Sequence, residues 1–433
     1  MKSDPTYLLR QVRVLDPVSN TDQIADVLIN NGHIESIESQ IEVVPEPATE
    51  IEAEGLVLGA GLMDIYSHSG EPGHEERETF SSLAAAAISG GFTRLAILPN
   101  TTPTVDNPAT VALLQQQLQT LKLPLDNSLF PCPHLQFWGA ISINREGQQM
   151  SELAELAQTP IIGFTDDRPL ENLALLRRVL EYLQPLNKPI ALVPTNRDLR
   201  GNGVMREGFA SMTYGLPGSP AVSEAAAMAG LLELIAATQT PVHLMRVSTR
   251  RGVELIADAK ARGVPITAST TWMHLLLNSN AVKSYDPNLR LEPPLGNEED
   301  RQALIEGIKQ GIIDAIAVDH TPYTYEEKTV AFAEAPPGVI GLELVLPLLW
   351  QQFVITQEWS ALKLWEVLSV NPRLCLGQQP LSCQPGQAAE LVLFDPQATW
   401  TVEIKSLKSR CANTPWLGKQ LNGRVVRVWN GNQ

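Results

Sequence analysis

Cysteine is scarce in this chain. Four residues, Cys132, Cys375, Cys383 and Cys411, are spread over 433 positions without a Cys-x-x-Cys pair, which excludes a disulfide framework and reads as reduced, structural thiols. Long hydrophobic runs are missing too: no window of 18 or more uncharged apolar residues offers a membrane span, and the opening Met1-Lys2-Ser3-Asp4-Pro5 does not read as a signal peptide. The expected location is the cytoplasm. Basic charge is in deficit, with 32 Lys and Arg against 48 Asp and Glu and a net charge of −16, which argues against nucleic acid and anionic membrane surfaces as partners. Internal repeats and low-complexity segments are absent apart from a brief alanine run, Ala84–Ala87.

What is present is an ordinary globular composition with a change of rhythm near residue 57. Before it, Tyr7 to Leu15 reads as a strand, and Asp26 to Ile37 alternates around Asn31-Gly32, a dipeptide suited to the positive φ angles of a tight hairpin. From Gly59 onward short apolar strands alternate with helical stretches. The expected strands are Leu62–His68, Arg94–Leu98, Gln136–Ala140, Ile161–Thr165, Ile190–Val193, Val242–Val247, Ile266–Ala268 and Ala315–Val318. Helices are expected at Phe80–Ser89, Ala109–Leu121, Glu171–Leu183, Ser223–Ala237 with Ser223 as its N-cap, Arg250–Ala261, Glu298–Gln310 and Leu342–Phe353. Eight such units predict an α/β protein, a (β/α)8 barrel over residues 57–370. The tail returns to strand and turn over Pro385–Asp395 and Asn422–Val428, so residues 1–56 and 371–433 are expected to form a small composite β-domain from both chain termini.

A barrel keeps its chemistry in the loops after its strands. In Gly61-Leu62-Met63-Asp64-Ile65-Tyr66-Ser67-His68-Ser69-Gly70-Glu71-Pro72-Gly73, residues two apart share a face, which places Asp64, Tyr66 and His68 together. This stretch resembles the D-x-H-x-H-x-R-E-P-G pattern of dihydroorotases, zinc amidohydrolases that interconvert carbamoyl aspartate and dihydroorotate. The resemblance covers nearly the whole chain: Gly90-Gly91-Phe92-Thr93, Leu98-Pro99-Asn100-Thr101, Phe164-Thr165-Asp166-Asp167, Val247-Ser248-Thr249, Val318-Asp319-His320-Thr321-Pro322, Phe332-Ala333-Glu334-Ala335-Pro336 and Asn413-Thr414-Pro415-Trp416-Leu417-Gly418.

Carried over position by position, the resemblance implies a metal site of which only His68, Asp166 and Asp319 remain, Asp319 also standing where the family keeps its general base. The other histidine positions hold Tyr66, Val193 and Arg246. Valine has no lone pair, a phenol ligates only once deprotonated from about pKa 10, and a guanidinium is always charged and repels a dication. No lysine lies between Lys122 and Lys188, so a carboxylated lysine on the strand ending near Asp166 is excluded. Substrate-binding positions have changed as well: Gly70 replaces an arginine, Glu292 an asparagine and Tyr323 a histidine, while Asn100 survives as the one substrate-facing amide. No cofactor is expected, zinc being the expectation only if the remaining ligands still hold one metal.

The other histidines carry bland expectations. His33 reads as an exposed hairpin residue, His74 and His134 as loop residues, His243 as a core residue, and His274 as structural; His320 should point away from Asp319. Arg246 is expected to take over from the missing metal by bridging Asp166, Asp319 or both. The resemblance implies a degenerate dihydroorotase-like protein of pyrimidine biosynthesis, a homo-oligomer or a structural partner of aspartate transcarbamoylase. Two alternatives stand beside it: a cyclic amidohydrolase working on one metal, and a small-molecule sensor using the pocket.

Overall fold

The structure is a computed structural model that describes residues 5–121 and 131–431; Met1–Asp4, where the signal-peptide reading falls, lie outside the described residues. Five strands open the chain: β1 (Thr6–Asp16), β2 (Thr21–Asn30), β3 (His33–Glu38), β4 (Ala48–Glu52) and β5 (Val57–Ala60). Asn31 and Gly32, at φ 49° and 73°, make the tight turn their sequence calls for, and His33 lies exposed beside it. Next come β6 (Leu62–Ser67), β7 (Phe92–Ile97), β8 (His134–Gly139), β9 (Gly163–Phe164) and β10 (Ala191–Leu192), then a two-strand ribbon of β11 (Met205–Arg206) and β12 (Gly218–Ser219). The later strands are β13 (Val242–Leu244), β14 (Ile266–Thr271), β15 (Ala315–Ala317), β16 (Leu391–Thr401) and β17 (Gln420–Trp429).

Strands β6-β7-β8-β9 and β10-β13-β14-β15 form two parallel four-stranded sheets. A bridge between Phe164 and Ile190 joins them on one side. On the other, the His68 N–H donates to the His320 carbonyl at 2.8 Å, and the Val318 N–H donates to the Asp64 carboxylate at 2.8 Å. The result is the (β/α)8 barrel expected from the alternation of strands and helices. Its interior is apolar: Met63, Ile65, Tyr66, Ala96, Trp138, Ala191 and Met245 are buried in one cluster. Burial at about 25 cal/mol per Å² of apolar surface drives this closure. Buried indoles reinforce it, Trp138 donating to Ile65 O at 2.9 Å and Trp272 to Val318 O at 3.0 Å.

The remaining strands form one seven-stranded sheet ordered β17-β16-β5-β1-β2-β3, with β4 beside β1, so both ends of the chain feed it. Its own buried cluster includes Leu9, Val12, Val27, Leu58, Leu391 and Leu393. Glu390, at the entry to β16, clasps this sheet to the barrel. Its carboxylate accepts from Arg94 Nε at 3.0 Å, Arg373 Nη2 at 2.5 Å and Thr93 Oγ1 at 2.6 Å. Helix Asn371–Cys375, which carries Arg373, lies against β6 and β15.

Several local expectations need correction. The strands expected at 161–165, 190–193 and 242–247 pair over only two or three residues, because the chain breaks from extended geometry into mouth loops. Ser223 is no N-cap: the helix runs Val222–Thr238, and the Ser223 hydroxyl donates to Pro220 O at 2.8 Å. The helix expected at Leu342–Phe353 begins at Val345 and continues as wider π-helical turns over Trp350–Ile355.

Candidate functional site

The mouth of the barrel encloses a cavity of about 280 Å³, and Arg246 stands at its floor. Arg246 follows β13 with φ 54°, a turn that throws its side chain across the mouth. Its Nε and Nη2 donate to Asp319 Oδ2 and Oδ1 at 2.8 and 2.6 Å, a bidentate pair, and its Nη1 lies 2.6 Å from Asp167 Oδ1. Its Nη2 also meets His68 Nε2 at 3.3 Å, and its guanidinium carbon stands 5.3 Å from the centre of the Tyr66 ring. Burial opposes its charge, but Asp167 and Asp319 more than compensate and raise its pKa well above the ordinary value. For Asp319, burial likewise favours the neutral acid, yet the charge and the hydrogen bonds of Arg246, with His68 close by, hold it well below the usual carboxylate range.

The partner of Arg246 is Asp319 as expected, but its second carboxylate is Asp167 and not Asp166. Asp166 turns away from the mouth and accepts from the Ser142 N–H at 2.9 Å and the Ser142 hydroxyl at 2.6 Å. Asp167 reaches the mouth because its own backbone is left-handed, φ 57°. An Asp-Asp pair at a strand end was visible in the sequence; which of the two faces inward depends on a φ angle that residue type does not fix.

His68 lies between the acids, 3.6 Å from Asp319 Oδ1 and 3.9 Å from Asp167 Oδ2, with Nδ1 held at 2.8 Å by Asn100 Nδ2. Tyr66 is fully buried; its hydroxyl accepts from the Arg246 N–H at 3.1 Å and meets Ser269 Oγ at 2.9 Å. Burial, and behind it the charge of Asp319, keeps this phenol protonated. Ser269 in turn meets His243 Nε2 at 2.8 Å, and burial brings His243 down to about 3, so a neutral core histidine anchors the chain of contacts. Val193 closes the same apolar cluster as Tyr66.

His320 turns away from Asp319 toward Glu78, its Nε2 at 3.4 Å, and accepts from the Gly341 N–H at 3.2 Å. His274 lines the cavity with its Nδ1 on Thr271 Oγ1 at 2.8 Å, and burial brings it to about 4. Gly70 has no room for a side chain: a Cβ would lie 2.2 Å from His74 O and 2.5 Å from Glu78 O. Glu292 pairs with Arg200 at 2.7 Å, and the Tyr323 ring lies 5.0 Å from the Arg77 guanidinium.

This donor set does not fit zinc. Zinc needs three or more imidazole, thiolate or carboxylate ligands at about 2.0–2.3 Å. Here Asp166 is committed to Ser142, Asp319 to Arg246, and two of the remaining ligand positions are an apolar valine and a protonated phenol. Among the described residues no group of three or more His, Cys, Asp or Glu converges to hold a metal ion. The expected trio of His68, Asp166 and Asp319 is therefore not assembled.

A (β/α)8 barrel with its polar groups at the C-terminal mouth and a flanking sheet built from both ends of the chain is a fold this protein shares with solved hydantoinases. The L-hydantoinase of Arthrobacter aurescens superposes with a TM-score of 0.81 over 99% of this chain and 97% of its own, at 18% identity. The Dihydro-orotase-like family model matches residues 55–251. A dihydroorotase-like protein of Synechocystis sp. is 46% identical, covering 96% of this chain and 98% of its own length. The dihydroorotase of Geobacter metallireducens is 36% identical over 97% of this chain and 96% of its own. The chain belongs to the dihydroorotase-like family.

Proposed function

We propose that this protein is a non-catalytic dihydroorotase homologue of pyrimidine biosynthesis, retained for its fold, and that it serves as a structural partner of aspartate transcarbamoylase. The observation that carries the first half is Arg246. Metal-assisted hydrolysis of a cyclic amide requires an activated water and a base whose pKa lies near the working pH. A guanidinium fills the space between the two mouth carboxylates, and Asp319, the position of the family's base, is bound twice by it and held far below neutrality. The second half rests on what the resemblance implies, together with an intact barrel and sheet that a structural partner requires. A net charge of −16 suits a partner presenting basic patches.

Two measurements test this. Elemental analysis of the purified chain should find no stoichiometric zinc pair, and a carbamoyl aspartate cyclisation assay should find no turnover; two metals per chain, or turnover abolished by a chelator, establishes the active amidohydrolase instead. Co-expression with the transcarbamoylase of the same organism, followed by size-exclusion chromatography, should give a shared peak. Separate elution with unchanged transcarbamoylase activity removes that partner.

A further inference from the structure

In a chain so rich in acid, the mouth is rich in arginine. The cavity above Arg246 adjoins a second, of about 410 Å³, the two sharing Asp167, Arg168, Arg246 and Glu292. Their walls carry six arginines, Arg77, Arg145, Arg168, Arg197, Arg200 and Arg246, against three carboxylates, Asp167, Glu292 and Asp319. Three of the cations have close partners: Arg246 in Asp319 and Asp167, Arg77 in Glu327, and Arg200 in Glu292.

The other three are under-paired. Arg145 is 11% exposed, comes no nearer to a carboxylate than 3.8 Å from Asp167, and leaves its Nε buried without a partner. Its backbone, at φ 57°, follows Asn144 at φ 51°, a left-handed pair that commits the loop to this placement. Arg168 and Arg197 are exposed at the cavity walls, and neither guanidinium has an ion-pair or hydrogen-bond partner among the described residues. Burial disfavours the Arg145 charge; Asp167 supports it, and Arg168 opposes it. A cation held this way without a close counter-charge is costly unless something binds it. One further group points to a ligand: Asn100, on the same cavity, spends one end of its amide on His68 and leaves the other end buried with no partner.

We propose that the barrel mouth is a binding site for a small phosphate-bearing molecule, gripped by Arg145 and Arg168 and capped by Asn100. Guanidinium groups bind phosphate oxygens through paired charge-assisted hydrogen bonds. The free end of the Asn100 amide adds a polar contact to a bound phosphate. Arg197, in the adjoining cavity, stands where the remainder of a phosphorylated molecule extends. The grip on phosphate uses none of the replaced family positions Gly70, Glu292 and Tyr323, which only line the cavity, and rests on the reading above only in that Arg246, not a metal, neutralises the acids on the floor.

Inorganic phosphate titrated into the full-length protein at constant ionic strength, followed by calorimetry and thermal unfolding, tests this. Phosphate should bind saturably and raise Tm, Arg168→Gln should weaken binding about tenfold or more, and Arg145→Gln should abolish it. Arg177→Gln, outside both cavities, should match the parent. Because Arg168 is exposed, its variant decides the matter even if Arg145→Gln does not fold. No saturable phosphate response, or an equal response in Arg168→Gln, overturns the proposal; succinate binding as tightly as phosphate overturns the phosphate assignment. Zinc is measured in the same samples: phosphate held by a metal would survive Arg168→Gln and vanish with a chelator, a result that sinks the metal-free reading rather than merely the arginine grip.

Discussion

Arg246 holds two acids together at the bottom of a cavity, and it does so from a strained backbone. Arg145, Asp167, Arg246 and Asp319 all have φ between 52° and 57°, a region that costs non-glycine residues on the order of 1–3 kcal/mol each. Arg246 binds both Asp167 and Asp319, so for these three the strain and the ion pairs support a single arrangement. Arg246→Ala should therefore lose about 3–5 kcal/mol in urea unfolding, because it leaves two carboxylates facing each other unpaired. Arg246→Lys, a point charge that cannot make the bidentate contact, should fall between; a parent-like midpoint for the alanine variant would remove Arg246 from this role. Gly70→Ala should also destabilise, by about 1–3 kcal/mol, since its Cβ meets backbone atoms at 2.2–2.6 Å. At this scale the sequence was legible wherever residue chemistry alone decides: Val193 and Arg246 cannot bind zinc in any geometry. It was silent where a φ angle decides, as with Asp166 and Asp167, and where a loop folds inward from a distance, as with Arg145.

At the scale of elements, the Glu390 clasp is the joint between sheet and barrel. Burial alone would raise its pKa, but Arg94 and Arg373 bring it down to about 2. A glutamate depressed from about 4.3 in the unfolded chain contributes stability that is complete above that value and is lost as pH falls toward 2. A depression of that size is worth at most about 3 kcal/mol. Chemical unfolding measured from pH 6 down to the acid limit should show this slope in the parent, and Glu390→Gln should flatten it; the same slope in the variant would place the acid sensitivity elsewhere. The elements themselves followed from the sequence because apolar alternation marks a buried strand whatever surrounds it. Their ends did not, since β9, β10 and β13 stop where mouth contacts override extended geometry. The π-helical turns at Trp350–Ile355 were hidden because their apolar spacing matches an ordinary helix.

For the molecule as a whole, the net charge of −16 bears on the complex proposed above. If the proposed complex forms through complementary charge, its stability should fall steeply as salt shortens the screening length from about 10 Å at 0.1 M to about 3 Å at 1 M. Size-exclusion runs across that range should show the shared peak dissolve; a peak indifferent to salt would mean an apolar contact. Among the described residues no helix is long and apolar enough to cross a membrane. The barrel was readable from sequence at this scale because its repeat of strand and helix is long. The arginine-rich mouth was not, because its cations come from separate loops that share no pattern along the chain.

The sheet ordered β17-β16-β5-β1-β2-β3 has a consequence for how the polypeptide is born. During synthesis the first five strands emerge long before the strand that covers β5, since Ala60 pairs with Leu391 and Gly59 with Val392. Until then the nascent chain carries an open strand edge, the kind of surface that invites pairing with a stranger. Ribosome stalling or premature termination anywhere between residues 61 and 390 would strand that edge in the cell. Incomplete chains of this protein should therefore be recognised by chaperones or appear as aggregates, even when the barrel they contain is nearly whole.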